Sequence, residues 1–409
     1  MTERAPWTPD ERWQPNTWAL LIISAFLLGG LLGVAVLSFF GRGQFAEYRY
    51  SLWRWEAETL AGTLFRVAGV THEADPEDAE EAIRQYFALT SRIRAELEAP
   101  DPDPALLDTL LRERSLYENT VEAAIAARVA AAARAAGLSE PLPLFDEVRI
   151  LWPPVAFELT QPPQLLVISP RDRIERERVV LLRNDLSLRE IERIEEEADD
   201  GEHVSLVVSI GGLAAYPAIL REDRSYWSVV ETVAHEWVHH YLAFYPLGQQ
   251  WLAGSEGETL NETVANVAGR ELAALVHRLF PVDFPDGLDG RGPERPPPDI
   301  DFRSEMRALR LEVDRLLAAG RIEEAERLME EKRRHFATHG IYIRKLNQAY
   351  FAFYGTYADE PASSSPIGPK VERVWELTGH VGEFLRRMRD IRTEEDLDRL
   401  IESLERAAE

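Results

Sequence analysis

The segment VAHEWVHHYL, residues 233–242, constrains the fold more than any other stretch of this chain. It contains His235, Glu236 and His239 in the spacing H-E-x-x-H. Residues four apart on an α-helix share one face, so both imidazoles can reach a single zinc ion if the segment is helical. The glutamate beside the first histidine can then hold a metal-bound water and accept its proton. The pattern predicts a helix that carries a metal centre and a general base.

Catalytic zinc usually has three protein ligands and one open position, so a second element must approach this helix. The sequence NETVAN, residues 261–266, lies on a second predicted helix that runs from about residue 255 to residue 280. The Glu262 carboxylate can join the two imidazoles if the helices pack antiparallel. Small residues on its face permit close helix approach, namely Ala265, Asn266 and Gly269. Glu262 is therefore the predicted third ligand.

Other interpretations of this region stay open. Glu262 lies three residues after Thr259 and Glu258 lies three residues after Ser255, so either carboxylate fits a capping box. Helix initiation at Ser255 favours the ligand role for Glu262, because that residue then lies well inside the helix. Glu258 is the reserve ligand. His240 points about 100° away from the ligand face, which predicts a supporting or solvated side chain.

The two spacings together resemble the zincin metallopeptidases of the glutamate-ligand group, the gluzincins. In that group H-E-x-x-H is followed on a second helix by N-E-x-x-x-D, and this chain has N-E-T-V-A-N. The resemblance implies a Zn²⁺ cofactor held by His235, His239 and Glu262, with Glu236 as the general base. The family aspartate that orients the first histidine falls on Asn266. Its amide oxygen can still accept the imidazole N–H, but a neutral partner holds the ring less firmly.

The wider layout, over about 200–280 and at 346–358, is similar to bacterial proteins described as predicted aminopeptidases. This resemblance implies a peptide or protein substrate. Two features agree with it. The glycines of SIGGLAAYP, residues 209–217, fit either an edge strand that pairs with an extended substrate or a simple turn. Tyr350 and Tyr354 lie on one predicted helical face, where an O–H can stabilise an oxyanion, although such aromatic stripes are more often part of a core.

An uncharged run of 24 residues extends from Thr17 to Phe40, which is long enough for a helix to cross a hydrocarbon layer about 30 Å thick. The tryptophans Trp13 and Trp18 fit an interfacial belt. The sequence therefore predicts a single-pass protein anchored in the lipid bilayer through residues 17–40. Arginines flank both ends of the run, so the charge pattern leaves the orientation open. Analogy with exported, anchored peptidases favours an extracytoplasmic catalytic domain.

Composition excludes several classes of function. The chain has 409 residues, no cysteine and a formal net charge of −25 at pH 7. Without cysteine there is no disulfide, no thiolate zinc site and no cysteine nucleophile. The strongly acidic balance argues against nucleic acid as a partner, because phosphate backbones require basic patches.

The predicted fold class is α+β and mainly helical. Short β-branched runs at 164–169, 178–182 and 203–210 predict a small sheet next to the H-E-x-x-H helix, within a zincin-like core. We expect six regions: an N-terminal tail at 1–16, a transmembrane helix at 17–40, a helical stalk or cap at 41–140, the catalytic core at 141–285, a Pro/Gly-rich linker at 286–302 and a C-terminal helical region at 303–409.

Two hypotheses for function follow from these patterns. The first is a membrane-anchored zinc metallopeptidase, with aminopeptidase activity as its most specific form. The alternative is a helical interaction protein at the membrane, either inactive or with zinc in a structural role. Zinc content and cleavage of a peptide library distinguish the two.

Overall fold

The computed structural model describes residues 44–52, 54–55, 59, 78–142, 145–250, 255–285, 287–291, 299–355, 363 and 365–408. The predicted N-terminal tail and transmembrane helix, together residues 1–40, lie outside this set. Within these ranges, no helix combines the length and the apolar character that a bilayer crossing requires.

The described elements are mainly helical, with short strands, as the predicted α+β class requires. The helices are α1 (Ala79–Leu97), α2 (Pro104–Ser115), α3 (Glu118–Ala135), α4 (Leu188–Ala198), α5 (Tyr226–Leu242), α6 (Pro246–Gln249), α7 (Ser255–Leu279), α8 (Phe302–Ala318), α9 (Ile322–Thr338), α10 (Gln348–Tyr354), α11 (Ile367–Thr378), α12 (Val381–Met388) and α13 (Glu394–Ala408). The strands are β1 (Glu140–Leu142), β2 (Phe145–Ile150), β3 (Phe157–Leu159), β4 (Gln164–Pro170), β5 (Arg178–Leu182), β6 (His203–Ser209), β7 (Gly212–Leu213) and β8 (Ala218–Leu220).

The strands form three small sheets in the described part of the chain. The first has the order β5-β4-β6, with both neighbours antiparallel to the central strand β4. Its three strands are the three runs predicted from sequence. The second has the order β3-β8-β7, where β3 is parallel and β7 antiparallel to β8. The third is the antiparallel pair β1 and β2.

One large apolar core joins the helices around α5 and α7. Trp237 of α5 and Val264 of α7 are buried in it, together with Val129 of α3 and Phe384 of α12. Helices α1 and α3 belong to the predicted stalk or cap, but their buried faces pack in this same core. Within the described part of residues 41–140, α1 and α3 therefore form a wall of the central core.

Two smaller packing units complete the architecture. The hairpin of α8 and α9 has its own cluster around Val313 and Phe336. Helix α10 packs on the β5-β4-β6 sheet through Ala349 and Phe353, beside Val167 of β4. This sheet thereby lies between α10 on one face and α4 on the other, where Ile194 is buried.

Tertiary packing, and not helical periodicity alone, sets several helix boundaries. The alanine-rich stretch at about 105–136 predicts one long helix, but the structure breaks it between α2 and α3. Leu110 of α2 packs with Leu89 and Ile93 of α1, whereas the buried face of α3 belongs to the central core. The chain must turn between these two surfaces. The tail from Lys370 is predicted to be helical, and its described part is divided among the helices α11, α12 and α13.

Capping side chains explain two further differences. The capping-box pattern of Ser228 and Glu231 predicts that the motif helix starts near Ser228, but α5 begins at Tyr226, because the Ser225 hydroxyl accepts from the Ser228 N–H as the N-cap. The aromatic-rich run from about 341 to 357 predicts another helix, but among its described residues, 341–355, only α10 is helical. Asn347 caps it by accepting from the Tyr350 N–H at 3.0 Å, while its amide also donates to the Ser205 carbonyl at 2.9 Å.

Candidate metal centre

Helices α5 and α7 pack closely and in opposite directions. Gly269 of α7 lies against the backbone of His235, since a Cβ at this glycine would be 3.0 Å from the His235 Cα. Eight residues earlier on α7, Asn261 contacts His239, which is four residues later on α5. The antiparallel arrangement expected from the sequence is present, with a glycine at the point of closest approach. Gly269 thus allows the two helices to present their polar side chains to each other.

Three predicted ligand atoms converge between these helices. The Nε2 atoms of His235 and His239 are 3.0 Å apart. Each lies 3.5 Å from Oε2 of Glu262. These three side chains could hold a metal ion, since one candidate ligand atom from each lies within 4.8 Å of the other two. The structure therefore brings together the two histidines of one helix and the glutamate of the next.

The donor set fits a divalent cation. Glu262 is only 7% exposed, and its Oε2 has no hydrogen-bond partner in the described structure. Two imidazole nitrogens 3.0 Å apart require a proton or a cation between them, because two lone pairs repel. Two imidazoles with one carboxylate form a ligand set typical of catalytic zinc. The residues present thus fit the ion that the sequence predicts.

The charges of the three side chains are strongly coupled. Burial alone would raise the pKa of Glu262, but the nearby His239 and His235 hold it well below its usual range. Burial alone would lower the pKa of His239, but the Glu262 carboxylate outweighs that effect and raises the pKa to about 9. The carboxylate is therefore ionised at neutral pH. It provides the negative charge that stabilises a cation at this position.

Asn261 was not predicted as a site residue, but it holds one ligand in place. Its Oδ1 accepts a hydrogen bond from Nδ1 of His239 at 2.7 Å. The tautomer with the proton on Nδ1 leaves Nε2 as the donor atom for a metal. The sequence signal that could have identified Asn261 is its position directly before Glu262 in NETVAN. Asn266, further along α7, is half-buried, and its predicted contact with His235 stays a prediction.

Glu236 lies beside the ligands in a confined position. It is buried, and burial raises its pKa, with His235 and His239 acting in the opposite direction. A Cβ at Gly212 of β7 would collide with the Glu236 carboxylate and would lie 3.1 Å from its Cδ. The backbone of the short strand β7 therefore passes directly against the predicted general base.

The segment after β7 is attached to α5 by His240. This side chain is buried, and its Nε2 donates to the Ala215 carbonyl at 2.8 Å. The Tyr216 ring contacts the imidazole edge to face, with the ring centres 5.3 Å apart. Burial lowers the pKa of His240 to about 4, so the ring is neutral at physiological pH. The solvated position predicted for His240 is wrong, because the side chain is buried against Ala215 and Tyr216.

The reserve ligand Glu258 has a different partner. It lies one turn before Glu262 on α7 and forms an ion pair with Arg176, from the loop between β4 and β5. Both side chains are mostly buried. Glu258 therefore ties this loop to α7, whereas Glu262 is the carboxylate that lies beside the two histidines.

The two predicted tyrosines lie on α10. The rings of Tyr350 and Tyr354 are 4.5 Å apart and half-buried, and burial raises the pKa of Tyr354. Both pack against the apolar cluster around Phe353, and so does Leu213 of β7. Their rings thus share a packing surface with the strand that borders Glu236, and their catalytic role stays a prediction.

Comparison of the chain with models of protein families, with curated proteins and with solved structures gives no match.

Proposed function

We propose that this protein is a zinc-dependent metallopeptidase that hydrolyses peptide bonds. The observation that carries this proposal is the convergence of Nε2 of His235, Nε2 of His239 and Oε2 of Glu262, with the buried Glu236 adjacent to them. These are the residue types that zinc hydrolysis requires, and two separate helices supply them.

Each side chain then has a distinct role. His235, His239 and Glu262 hold the ion, and Asn261 fixes the ring of His239 through its 2.7 Å hydrogen bond. Zinc bound there would polarise a peptide carbonyl and increase the acidity of a water molecule. Glu236 accepts the proton of the attacking water and delivers it to the leaving amine nitrogen.

The surroundings of Glu236 suit a general base. A base is most effective when its pKa lies near the working pH, and burial moves the pKa of Glu236 upwards from the ordinary value of a carboxyl group. The backbone at Gly212 restricts the volume around its carboxylate. Both effects follow from the close approach of β7 to α5.

The strand β7 provides a surface for an extended substrate. It is the end strand of its sheet and pairs only with β8 in the described structure. A peptide can therefore add to its outer edge by main-chain hydrogen bonds, which would bring a peptide bond close to Glu236. Tyr350 and Tyr354 are candidates to stabilise the oxyanion of the tetrahedral intermediate. Aminopeptidase activity is the specific form that the sequence resemblance implies.

We place this activity at a membrane. The uncharged run at residues 17–40 is the proposed anchor, and the catalytic part is proposed to be extracytoplasmic. We keep the division of the chain into the regions 41–140, 141–285 and 303–409. Described helices from all three regions contribute side chains to one apolar core.

Zinc content tests the proposal directly. Full-length protein is purified in detergent, and zinc is measured by mass spectrometry in wild type, Glu262→Ala and Glu258→Ala. We expect one zinc per chain in wild type and in Glu258→Ala, and a loss in Glu262→Ala. Glu258→Ala is the matched control, because it removes a carboxylate one turn away that binds Arg176.

The outcomes separate the two hypotheses for function. Zinc together with cleavage of a peptide library supports the peptidase. Zinc without cleavage of any library member supports a structural metal site. Absence of zinc from wild type, even after reconstitution, would contradict the proposal and favour the interaction protein.

A further inference from the structure

The chain from Gly212 to Ala215 touches α5 at two positions. Gly212 lies against the carboxylate of Glu236, and the Ala215 carbonyl accepts a hydrogen bond from His240. Glu236 and His240 are four residues apart, so they project from the same face of the helix, one turn apart. This segment therefore runs along one face of α5, with the predicted general base at one end and His240 at the other.

The protonation of the His240 ring follows from its two nitrogens. Nε2 lies 2.8 Å from a carbonyl oxygen, so it carries the proton of the neutral ring. Nδ1 is then an acceptor, and it is buried without a hydrogen-bond partner in the described structure. An aromatic or aliphatic side chain would fill this space without burying an unsatisfied nitrogen. The N–H donated to Ala215 is what distinguishes histidine from such a residue.

A further contact anchors the far end of the segment. The Tyr216 hydroxyl donates to the Pro154 carbonyl at 3.1 Å, and its ring packs edge to face on His240. On its inner side β7 pairs with β8, where Leu213 lies opposite Ile219. The segment is thus held by α5 on one side and by β8 on another. Its outer edge therefore lies at a fixed distance from α5.

We propose that His240 is a positioning residue that sets the register of an extended peptide substrate against Glu236. This inference rests on the proposed function. The hydrogen bond to Ala215 holds the outer edge of β7 at a fixed distance from the base, so a peptide that pairs with this edge presents its scissile bond there. The substrate class is an extended peptide that spans several residues of the edge. A dipeptide has too few main-chain groups to extend from Glu236 along the whole segment from Gly212 to Ala215, so it depends much less on His240.

The first experiment compares His240→Phe with His240→Gln in the full-length protein. Phenylalanine preserves the ring volume but removes the donor, whereas the glutamine amide can reach the Ala215 carbonyl. The substrates are the best long peptide from the library and the best dipeptide. For His240→Phe we expect KM for the long peptide to rise about tenfold, with kcat within about threefold of wild type. KM for the dipeptide and the zinc content should stay unchanged, and His240→Gln should restore most of the loss.

Three results would overturn this role. The first is an unchanged KM for the long peptide in zinc-loaded His240→Phe. The second is a loss of zinc in parallel with kcat, which would make His240 part of the metal centre. The third is an equal effect of His240→Gln and His240→Phe, which would indicate packing alone. If His240→Phe does not fold, His240→Asn replaces it, since asparagine is too short to reach Ala215.

A second measurement is independent of activity. Hydrogen exchange of the peptide that covers residues 210–217 is followed by mass spectrometry in wild type and both variants. Faster exchange in His240→Phe, but not in His240→Gln, supports the positioning role even if the wild type cleaves no peptide. Unchanged exchange in His240→Phe refutes it. Failure of the peptidase proposal is recognised separately, by wild-type protein that lacks zinc or cleaves nothing.

Discussion

Glu236 has the most specific chemical role proposed at the scale of single residues. Its carboxylate is buried beside the candidate ligands and lies directly against the backbone of Gly212. Glu236 is not one of the candidate ligands, so this proposed base can be substituted without removing a candidate metal-binding atom. Binding and turnover can therefore be separated experimentally.

Glu236→Gln should retain zinc and lose peptidase activity. Glutamine has nearly the same shape but cannot accept the proton of water, and general-base catalysis contributes about 100-fold to 10,000-fold to rate. We expect kcat to fall within that range, measured on the library substrate that wild type cleaves fastest, with zinc measured on the same sample. His239→Ala is the contrasting variant and should lose both zinc and activity. Full activity of Glu236→Gln would remove Glu236 from the mechanism.

Asn261→Ala should weaken zinc binding without removing a ligand. The His239 ring would lose the hydrogen bond that fixes its orientation and tautomer, and such losses typically cost about 10-fold to 100-fold in metal affinity. Competition with a chelator measures this affinity. Asn261→Asp is the control, because it preserves an oxygen acceptor and should bind zinc at least as tightly as wild type. Equal affinity in Asn261→Ala would show that the hydrogen bond does not support the metal site.

At the scale of secondary-structure elements, the site depends on how closely α5 and α7 approach. Gly269 is the contact point, and a Cβ there would lie 3.0 Å from the Cα of His235, so the helices would have to move apart slightly to accept a side chain. The adjacent β7 reaches α5 in the same way through Gly212. Two glycines thus bring a helix and a strand against the H-E-x-x-H helix from different directions.

Gly269→Ala should therefore disturb the metal site. Alanine gains about 1 kcal/mol of helix propensity over glycine, but overpacking against a backbone costs about 1–3 kcal/mol. We expect a net loss of stability together with weaker zinc binding, measured by thermal unfolding and chelator competition. Gly211→Ala is the control, since a methyl group there meets no atom within 4 Å. Unchanged zinc affinity in Gly269→Ala would mean that α5 and α7 can separate without cost to the site.

Elements that depend on local interactions could be predicted from the sequence, whereas elements that depend on contacts between distant segments could not. The proximity of His235 and His239 could be predicted because helical periodicity is local and places both on one face. The cap at Ser225 and the break between α2 and α3 could not, because they depend on which surfaces the chain packs against. The hydrogen-bond partners of Asn261 and His240 were missed for the same reason. Each of them binds a group on another segment, and only the folded chain brings these together.

At the scale of the whole molecule, the candidate metal centre is built into the main core. Val264 and Trp237 are buried on the same helices that carry the ligands, and side chains from α3 and α12 close around them. The ligands are also coupled electrostatically, because the Glu262 carboxylate must be compensated by His239 or by a cation. Metal binding and folding should therefore be linked.

Removal of zinc should lower the thermal stability of the entire protein. A ligand that binds only the folded state stabilises it by about 2.7 kcal/mol at a free concentration 100 times its Kd. We expect Tm to fall on treatment with a chelator and to recover when zinc is restored. Glu262→Ala should show no such response. The contrary result is an unchanged Tm in wild-type protein that has lost its zinc to the chelator. It would show that zinc binding does not stabilise the folded state.

The order of the chain in the core has a consequence for biosynthesis. Helices α11 and α12 come from residues 367–388, yet Val371 and Phe384 are buried with the helices that hold the ligands. A ribosome must therefore translate beyond residue 388 before α5 and α7 acquire these neighbours. We expect the candidate metal centre to be incomplete in nascent chains that stop before α11 and α12, so zinc binding should appear only after both helices have been synthesised.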